Sequence, residues 1–141
     1  MRQNDLFVSY KLGTLIAHKE IYAKAFPLKK EKLEKDFKLQ TQAIWQQLDL
    51  QGAKEDEEIL KELAEKGKDY EKSYKLGKYS YILFSTTRKE DVFYKVKTLL
   101  KDLGLSEDLA GQFFAMDASL KERILFYTTH VRIGLERKEA R

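Results

Sequence analysis

The chain contains no cysteine, a single proline at position 27 and seven glycines among its 141 residues. Without cysteine it has no disulfide framework, no thiolate nucleophile and no zinc site built on thiolates. Because so few helix-breaking residues are present, a handful of long helices is favoured over many short strands. These absences indicate an all-α protein and exclude several classes of enzyme.

Long hydrophobic runs are also missing. No uninterrupted one exceeds four residues, the length of the run at 81–84, whereas a membrane-spanning helix needs roughly 20 apolar residues. Residues 1–10 lack the apolar stretch and the small-residue cleavage site of a secretory signal. We therefore expect a cytoplasmic protein without a membrane partner.

The composition is that of an ordinary globular domain. Hydrophobic residues make up 43% of the chain and charged residues 35%, with Lys, Glu and Leu that favour helix. At this length a chain can bury a core without disulfides or metals, and no Pro-rich or Gly/Ser-rich linker divides it. We predict a single all-α domain over residues 1–141, a bundle of five to six helices with no cofactor.

Apolar periodicity and turn residues place the first helices. The pattern predicts one helix over residues 5–26, ended by Pro27, and a second that runs to about Leu50. A long central helix follows over about 53–86. It has a heptad seam of apolar and small residues, namely Leu60, Leu63, Gly67, Tyr70, Tyr74, Gly77, Tyr81 and Phe84. Such a seam predicts either the spine of the core or a self-association surface.

Gly67 lies within this seam and is compatible with two structures. It can end one helix, or it can be a small position inside a continuous helix. Leu60 and Leu63 before the glycine stay in phase with Tyr70 and Tyr74 after it. On that ground we predict a continuous helix.

Capping patterns place the remaining helices. Thr87 and Ser119 are each followed three residues later by glutamate, which is typical of a capping box. Thr87 is predicted to begin a helix that Gly104 ends, and a short helix begins near Ser106. The helix after Ser119 has an apolar stripe that we assign to the core: Leu120, Ile124, Tyr127, Val131 and Leu135.

One pentapeptide occurs twice. Ser-Tyr-Lys-Leu-Gly stands at residues 9–13 and again at residues 73–77. The flanking residues barely align, so chance in a chain rich in Lys, Leu and Tyr is preferred over a duplicated helical hairpin. Either origin puts a glycine on a helix, where a neighbouring backbone can approach closely.

Arg123 and His130 lie seven residues apart in the last predicted helix, so that two turns place them on one face. An arginine can hold a phosphate while a histidine acts as acid or base. The pair resembles the Arg and His of the last conserved helix in HEPN-type ribonucleases, which are also small helical bundles. The resemblance implies a catalytic pair acting on RNA. Six residues separate the pair here, more than is usual in that family, and Ile124 stands where the family commonly has a polar residue. The alternative is a surface arginine and a part-buried histidine.

Tyrosines and lysines alternate in the second half of the central helix. Aromatic rings among cations can stack bases and neutralise phosphates. The residues that would bind nucleic acid are Lys68, Lys72, Lys75, Lys78, Arg132, Arg137 and Lys138. The same pattern is typical of tyrosines packed on a core with lysines around them, and Tyr70, Tyr74 and Tyr81 would equally suit a protein interface.

These observations favour a non-catalytic helical module that binds a protein partner or itself. The chain offers no nucleophile with a base, no metal-ligand cluster and no phosphate loop. The alternative is a nucleic-acid-binding subunit, with or without ribonuclease activity at Arg123 and His130. A net charge of +4, with six basic and three acidic residues between 118 and 141, is compatible with this alternative.

Overall fold

Seven α-helices account for nearly all of the residues that the computed structural model describes, which are 4–51, 55–85 and 90–139. They are α1 (Asp5–Ala25), α2 (Lys30–Leu48), α3 (Asp56–Lys66), α4 (Lys68–Ser85), α5 (Glu90–Asp102), α6 (Leu109–Ala115) and α7 (Leu120–Glu139). A 3-10 turn over Pro27–Lys29 joins α1 to α2. The predicted all-α bundle is confirmed, with seven helices in the described residues rather than five or six.

Local chemistry sets most helix ends where the sequence predicts them. The Asn4 side chain accepts a hydrogen bond from the Phe7 N–H and caps α1. Gly104, at a φ of 75°, follows the end of α5. At the start of α7 the Glu122 N–H donates to Ser119 Oγ at 3.2 Å, as the capping box predicts. Thr87, the predicted cap of α5, lies outside the described residues.

The predicted continuous helix over 53–86 is wrong, because the chain breaks at Gly67. Its φ of 152° and ψ of 155° lie in a region that is essentially restricted to glycine. The Gly67 N–H donates to Leu63 O at 3.1 Å and ends α3, and its carbonyl accepts from Glu71 N in the first turn of α4. Leu63 and Tyr74 nevertheless face the same core, so the seam keeps its phase across the turn.

The central contact of the fold is the α1–α4 pair, where the two copies of the pentapeptide pack on each other. A methyl group on Gly13 would clash with the Tyr74 carbonyl, and one on Gly77 would clash with the Tyr10 carbonyl. The two contacts are reciprocal, since each glycine lies on the backbone of the tyrosine in the other copy. The repeat therefore has a packing role, because glycine lets both helix backbones come this close.

Two hydrophobic cores lie on opposite sides of this pair. On one side Leu6, Phe7 and Tyr10 of α1 pack with Leu76 and Leu83 of α4 and with apolar residues of α5, α6 and α7. On the other side Val8, Leu12 and Ile16 pack with Tyr74 and with apolar residues of α2 and α3. Because α1 is buried on two faces, it lacks the clear apolar and polar faces of a surface helix. The seam of α3 and α4 is thus mainly a spine of the core.

None of the described helices is both long and apolar enough to cross a bilayer.

Candidate functional site

Arg123 and His130 share a helix but have separate surroundings. The Arg123 guanidinium lies 5.0 Å from the centre of the Phe113 ring, and its Nε is buried without a hydrogen-bond partner. His130 is exposed, and its ring lies 4.3 Å from that of Phe126. An acid–base group and a phosphate-binding arginine must reach the same phosphate. Because the Arg123 guanidinium packs on Phe113 whereas the His130 ring packs on Phe126, this arrangement gives no support to that pairing.

The His130 ring has one nitrogen engaged by its own helix. Nδ1 donates a hydrogen bond to the Phe126 carbonyl at 2.9 Å, since a carbonyl can only accept. This bond fixes the tautomer in which Nδ1 holds a proton. Nε2 is left for another partner.

Most of the predicted nucleic-acid-binding cations are paired with carboxylates of the same chain. Lys75 and Lys78 form ion pairs of 2.9 Å with Glu71 and Asp56. Looser pairs, between 3.2 and 3.8 Å, are Lys72 with Asp102, Lys78 with Glu20, Arg132 with Glu136, and Lys138 with Asp69. Among the described residues, Lys68 and Arg137 form no ion pair. The cations therefore do not form a continuous positive strip.

The three tyrosines assigned to an interface differ in exposure. Tyr74 is fully buried, and its hydroxyl donates to Asp56 Oδ1 at 2.6 Å. Burial, together with this hydrogen bond to Asp56, raises the pKa of Tyr74 far above that of a free tyrosine. Tyr74 thus serves the core and can neither contact a partner nor stack on a base, whereas Tyr70 and Tyr81 are half-buried.

Asp56 is the centre of a polar network that the sequence did not reveal. It accepts from Tyr74 through one oxygen and pairs with Lys78 through the other, while Lys78 also approaches Glu20. The four side chains come from α1, α3 and α4. Because their partners are distant in sequence, no local pattern predicts the network, which ties α3 to the α1–α4 pair.

A concave surface lies between α1, α4 and α7, and we call it the apolar groove. It has a volume of about 460 Å³. The residues that define it are Phe7, Thr14, Tyr81, Phe84, Leu120 and Ile124. Within the described part of the chain, Lys11 is the one charged side chain among its lining residues. Apart from Lys11, the groove is therefore a largely aromatic and aliphatic concavity.

Leu120 lies on the rim of this groove and not in the core. The core stripe predicted for α7 is therefore wrong at this residue. Tyr127, Val131 and Leu135 are fully buried as predicted, but Leu120 is 46% exposed. The neighbouring Leu125 is 66% exposed. Over its first two turns α7 thus presents leucine side chains to solvent.

Aromatic side chains continue from the groove along α1 to its C-cap residue, and we call them the aromatic ridge: the half-buried His18 and the exposed Tyr22 and Phe26. The Tyr81 hydroxyl, at the edge of the groove, lies 2.7 Å from His18 Nδ1. His18 packs on Tyr22 with ring centres 4.4 Å apart, and Tyr22 stacks on Phe26 at 6.0 Å. Burial and the neighbouring Tyr22 raise the pKa of Tyr81. The groove and the ridge thus adjoin through Tyr81.

A second concavity lies between α7 and the turn that joins α5 to α6, and we call it the basic groove. Its volume is about 480 Å³. The residues that define it are Ser106, Gln112, His130, Ile133, Arg137 and Lys138. No carboxylate lines it in the described ranges. The structure thus brings His130 together with Arg137 and Lys138 rather than with Arg123.

Residues 4–51, 55–85 and 90–139 contain no group of three His, Asp or Glu side chains that could hold a metal ion.

Comparison of the chain with models of protein families, with curated proteins and with solved structures found no match in any of the three.

Proposed function

We propose that this chain is a protein-interaction module whose apolar groove binds an amphipathic helix of a partner protein. The observation that carries the proposal is the groove itself, in which apolar side chains of three helices surround a concavity with Leu120 on its rim. Grooves of this kind accept apolar side chains spaced at i, i+3 or i+4, and i+7 on a helix. Each Å² of apolar surface buried there contributes about 25 cal/mol before the entropic cost of association is subtracted.

The aromatic ridge supports the proposal by extending the same surface. Tyr22 and Phe26 are 41% and 47% exposed although their rings stack on each other. Aromatic residues are enriched where proteins bind each other, because they cover a large area at a low entropic cost. A helix in the groove would continue onto this ridge.

The charge of the chain favours a partner with acidic residues flanking its apolar face. The chain carries +4 overall, and Lys11 borders the groove. Complementary charge raises association rates and selects between partners more than it raises affinity. A second copy of the chain is a less suitable occupant, since it would carry the same positive charge.

Binding of RNA by the tyrosine and lysine region has less support. Tyr74 is inside the core, and Lys72, Lys75 and Lys78 are ion-paired within the chain. Phosphate contacts would have to replace these pairs. Nucleic-acid binding and ribonuclease activity stay predictions, and salt-dependent anisotropy with labelled single-stranded RNA measures them directly.

The test is a selection of helical peptides from a displayed library on the folded chain, with counter-selection on Leu120→Asp. We expect enriched peptides with apolar residues at helical spacing. A buried charge without a partner is unfavourable, so Leu120→Asp should weaken their affinity about tenfold or more. Fluorescence anisotropy with one synthesised peptide gives the dissociation constants.

Leu39→Asp is the matched control, because Leu39 is a 74% exposed leucine of α2 that does not line the groove. It should leave the affinity unchanged. Peptides that bind both variants equally, or a library that yields no binder, would contradict the proposal. Sedimentation velocity tests the other occupant. If the chain forms concentration-dependent dimers that Leu120→Asp abolishes, the groove binds a second copy of the chain and not a partner helix.

A further inference from the structure

The basic groove differs in chemistry from the apolar groove and contains a cation that forms no ion pair with the residues that the structure describes. Arg137 is exposed and forms no ion pair among the described residues, whereas Arg132 on the same helix is paired with Glu136 at 3.2 Å. No described carboxylate lines the groove. An unpaired guanidinium in such a concavity is suited to an anion, and its planar array of donors matches phosphate oxygens.

His130 lies on the same face as Arg137, because seven residues make two helical turns. Nδ1 of His130 is bound to the Phe126 carbonyl, so Nε2 is the nitrogen that a ligand can use. The Ser106 hydroxyl and the Gln112 amide add neutral donors from the turn and from α6. Lys138 adds a second cation, held at 3.7 Å from Asp69.

The floor of the basic groove is apolar and depends on a close contact between the turn and α7. A methyl group on Gly134 would lie 2.8 Å from Leu105 Cγ, so glycine lets Leu105 pack directly against the helix. Ile133 lines the same surface. Polar side chains around an apolar floor fit a ligand with one charged end and one flat or apolar part.

We infer that the basic groove binds a small phosphate-bearing molecule, with Arg137 and His130 on the phosphate and the apolar floor under the remainder. A volume of about 480 Å³ lies within the roughly 300–1,000 Å³ typical of small-ligand sites. The inference does not depend on the proposed protein interaction, because the two grooves share no lining residue. The phosphate could also come from RNA, and the experiment separates these sources.

The experiment is a titration of the ¹⁵N-labelled chain, followed by amide chemical shifts, with ADP, with adenosine and with a single-stranded RNA heptamer. We expect ADP to shift amides of the α5–α6 turn and of α7 around His130, and adenosine to leave them in place. Arg137→Ala and His130→Ala should each weaken ADP binding about tenfold or more, as the loss of a charge-assisted hydrogen bond predicts. The spectra also show that each variant is folded.

Arg132→Ala is the matched control, because it removes an arginine of the same helix that lies outside the groove. It should change the affinity less than twofold, and so should Leu120→Asp in the apolar groove. Absence of shifts with ADP, or equal losses in Arg132→Ala and Arg137→Ala, would overturn the inference. RNA that binds more tightly than ADP and depends on Arg132 as well would overturn it in favour of a nucleic-acid surface.

Discussion

At the scale of single residues, the contact between α1 and α4 depends on two glycines. A Cβ atom at Gly13 would overlap the Tyr74 carbonyl and lie 2.8 Å from the backbone nitrogen of Lys78. A Cβ atom at Gly77 would overlap the Tyr10 carbonyl. These neighbours are backbone atoms inside helices, so no side chain can rotate away. The two backbones would have to separate, which would loosen both cores at once.

Gly13→Ala is therefore expected to destabilise the chain by about 3 kcal/mol or more, at the upper end of overpacking effects. Gly111→Ala is the matched control, because a Cβ there meets nothing within 4 Å. That control should be neutral or stabilising by up to about 1 kcal/mol, as alanine is the better helix former. Urea unfolding followed by circular dichroism measures both, and equal stabilities would contradict the close contact.

At the scale of elements, Gly67 decides that there are two helices instead of one. Lys66 lies in the last turn of α3, and Asp69 and Glu71 lie in the first turn of α4. Basic residues favour helix C-termini and acidic ones favour N-termini. This charge pattern around the glycine was the available signal for a break. The heptad phase could not reveal it, because both helices pack on one core.

Gly67→Ala should destabilise the chain by about 1–3 kcal/mol, since a φ of 152° strains an L-residue. The nearest atom to a Cβ there is 3.4 Å away on the Tyr70 ring, an ordinary contact, so the loss reflects backbone strain. A semisynthetic chain with D-alanine at position 67 is the control and should retain full stability. A gain in stability for Gly67→Ala would indicate that α3 and α4 can merge into one helix.

At the scale of the whole molecule, both cores contain buried tyrosines. Tyr10 and Tyr127 are in the core with α5, α6 and α7, and Tyr74 is in the core with α2 and α3. Burial raises the pKa of all three well above the value of a free tyrosine. Ser80 Oγ and the Tyr127 hydroxyl lie 2.6 Å apart and form a buried hydrogen bond.

The stability of the whole fold should consequently decrease in alkali. Below about pH 10 these tyrosines are neutral in the folded and the unfolded chain, and their contribution is fully present. Above it the unfolded chain loses protons that the folded chain keeps, so each buried tyrosine lowers stability by up to about 1.4 kcal/mol per pH unit. Urea unfolding between pH 8 and pH 11 measures this slope.

Tyr10→Phe removes one of these groups and should reduce the alkaline slope. Its hydroxyl is buried beside Ser80 and Thr128 without a hydrogen bond of good geometry, so the substitution itself should cost little at neutral pH. Tyr94→Phe, at a 63% exposed tyrosine, is the control for the loss of a ring hydroxyl. Identical slopes in the two variants would contradict the role of burial.

The sequence by itself determined the helical class and most helix ends, because those depend on neighbours within a few residues. Pro27 restricts the backbone of the residue before it, while the Ser119 cap and the left-handed Gly104 act through hydrogen bonds within an adjacent turn. The stripe of α7 predicted Tyr127, Val131 and Leu135 as core for the same reason.

Only the tertiary structure decided which of the similar side chains are accessible. Tyr74 and Tyr81 have equivalent places in the seam, yet one is fully buried and the other borders a groove. Arg123 and Arg137 are each seven residues from His130, yet only Arg137 shares a groove with it, since Phe113 holds the other guanidinium. These outcomes depend on which distant elements pack nearby. Helical spacing fixes the face on which a residue lies and not the surface that covers that face.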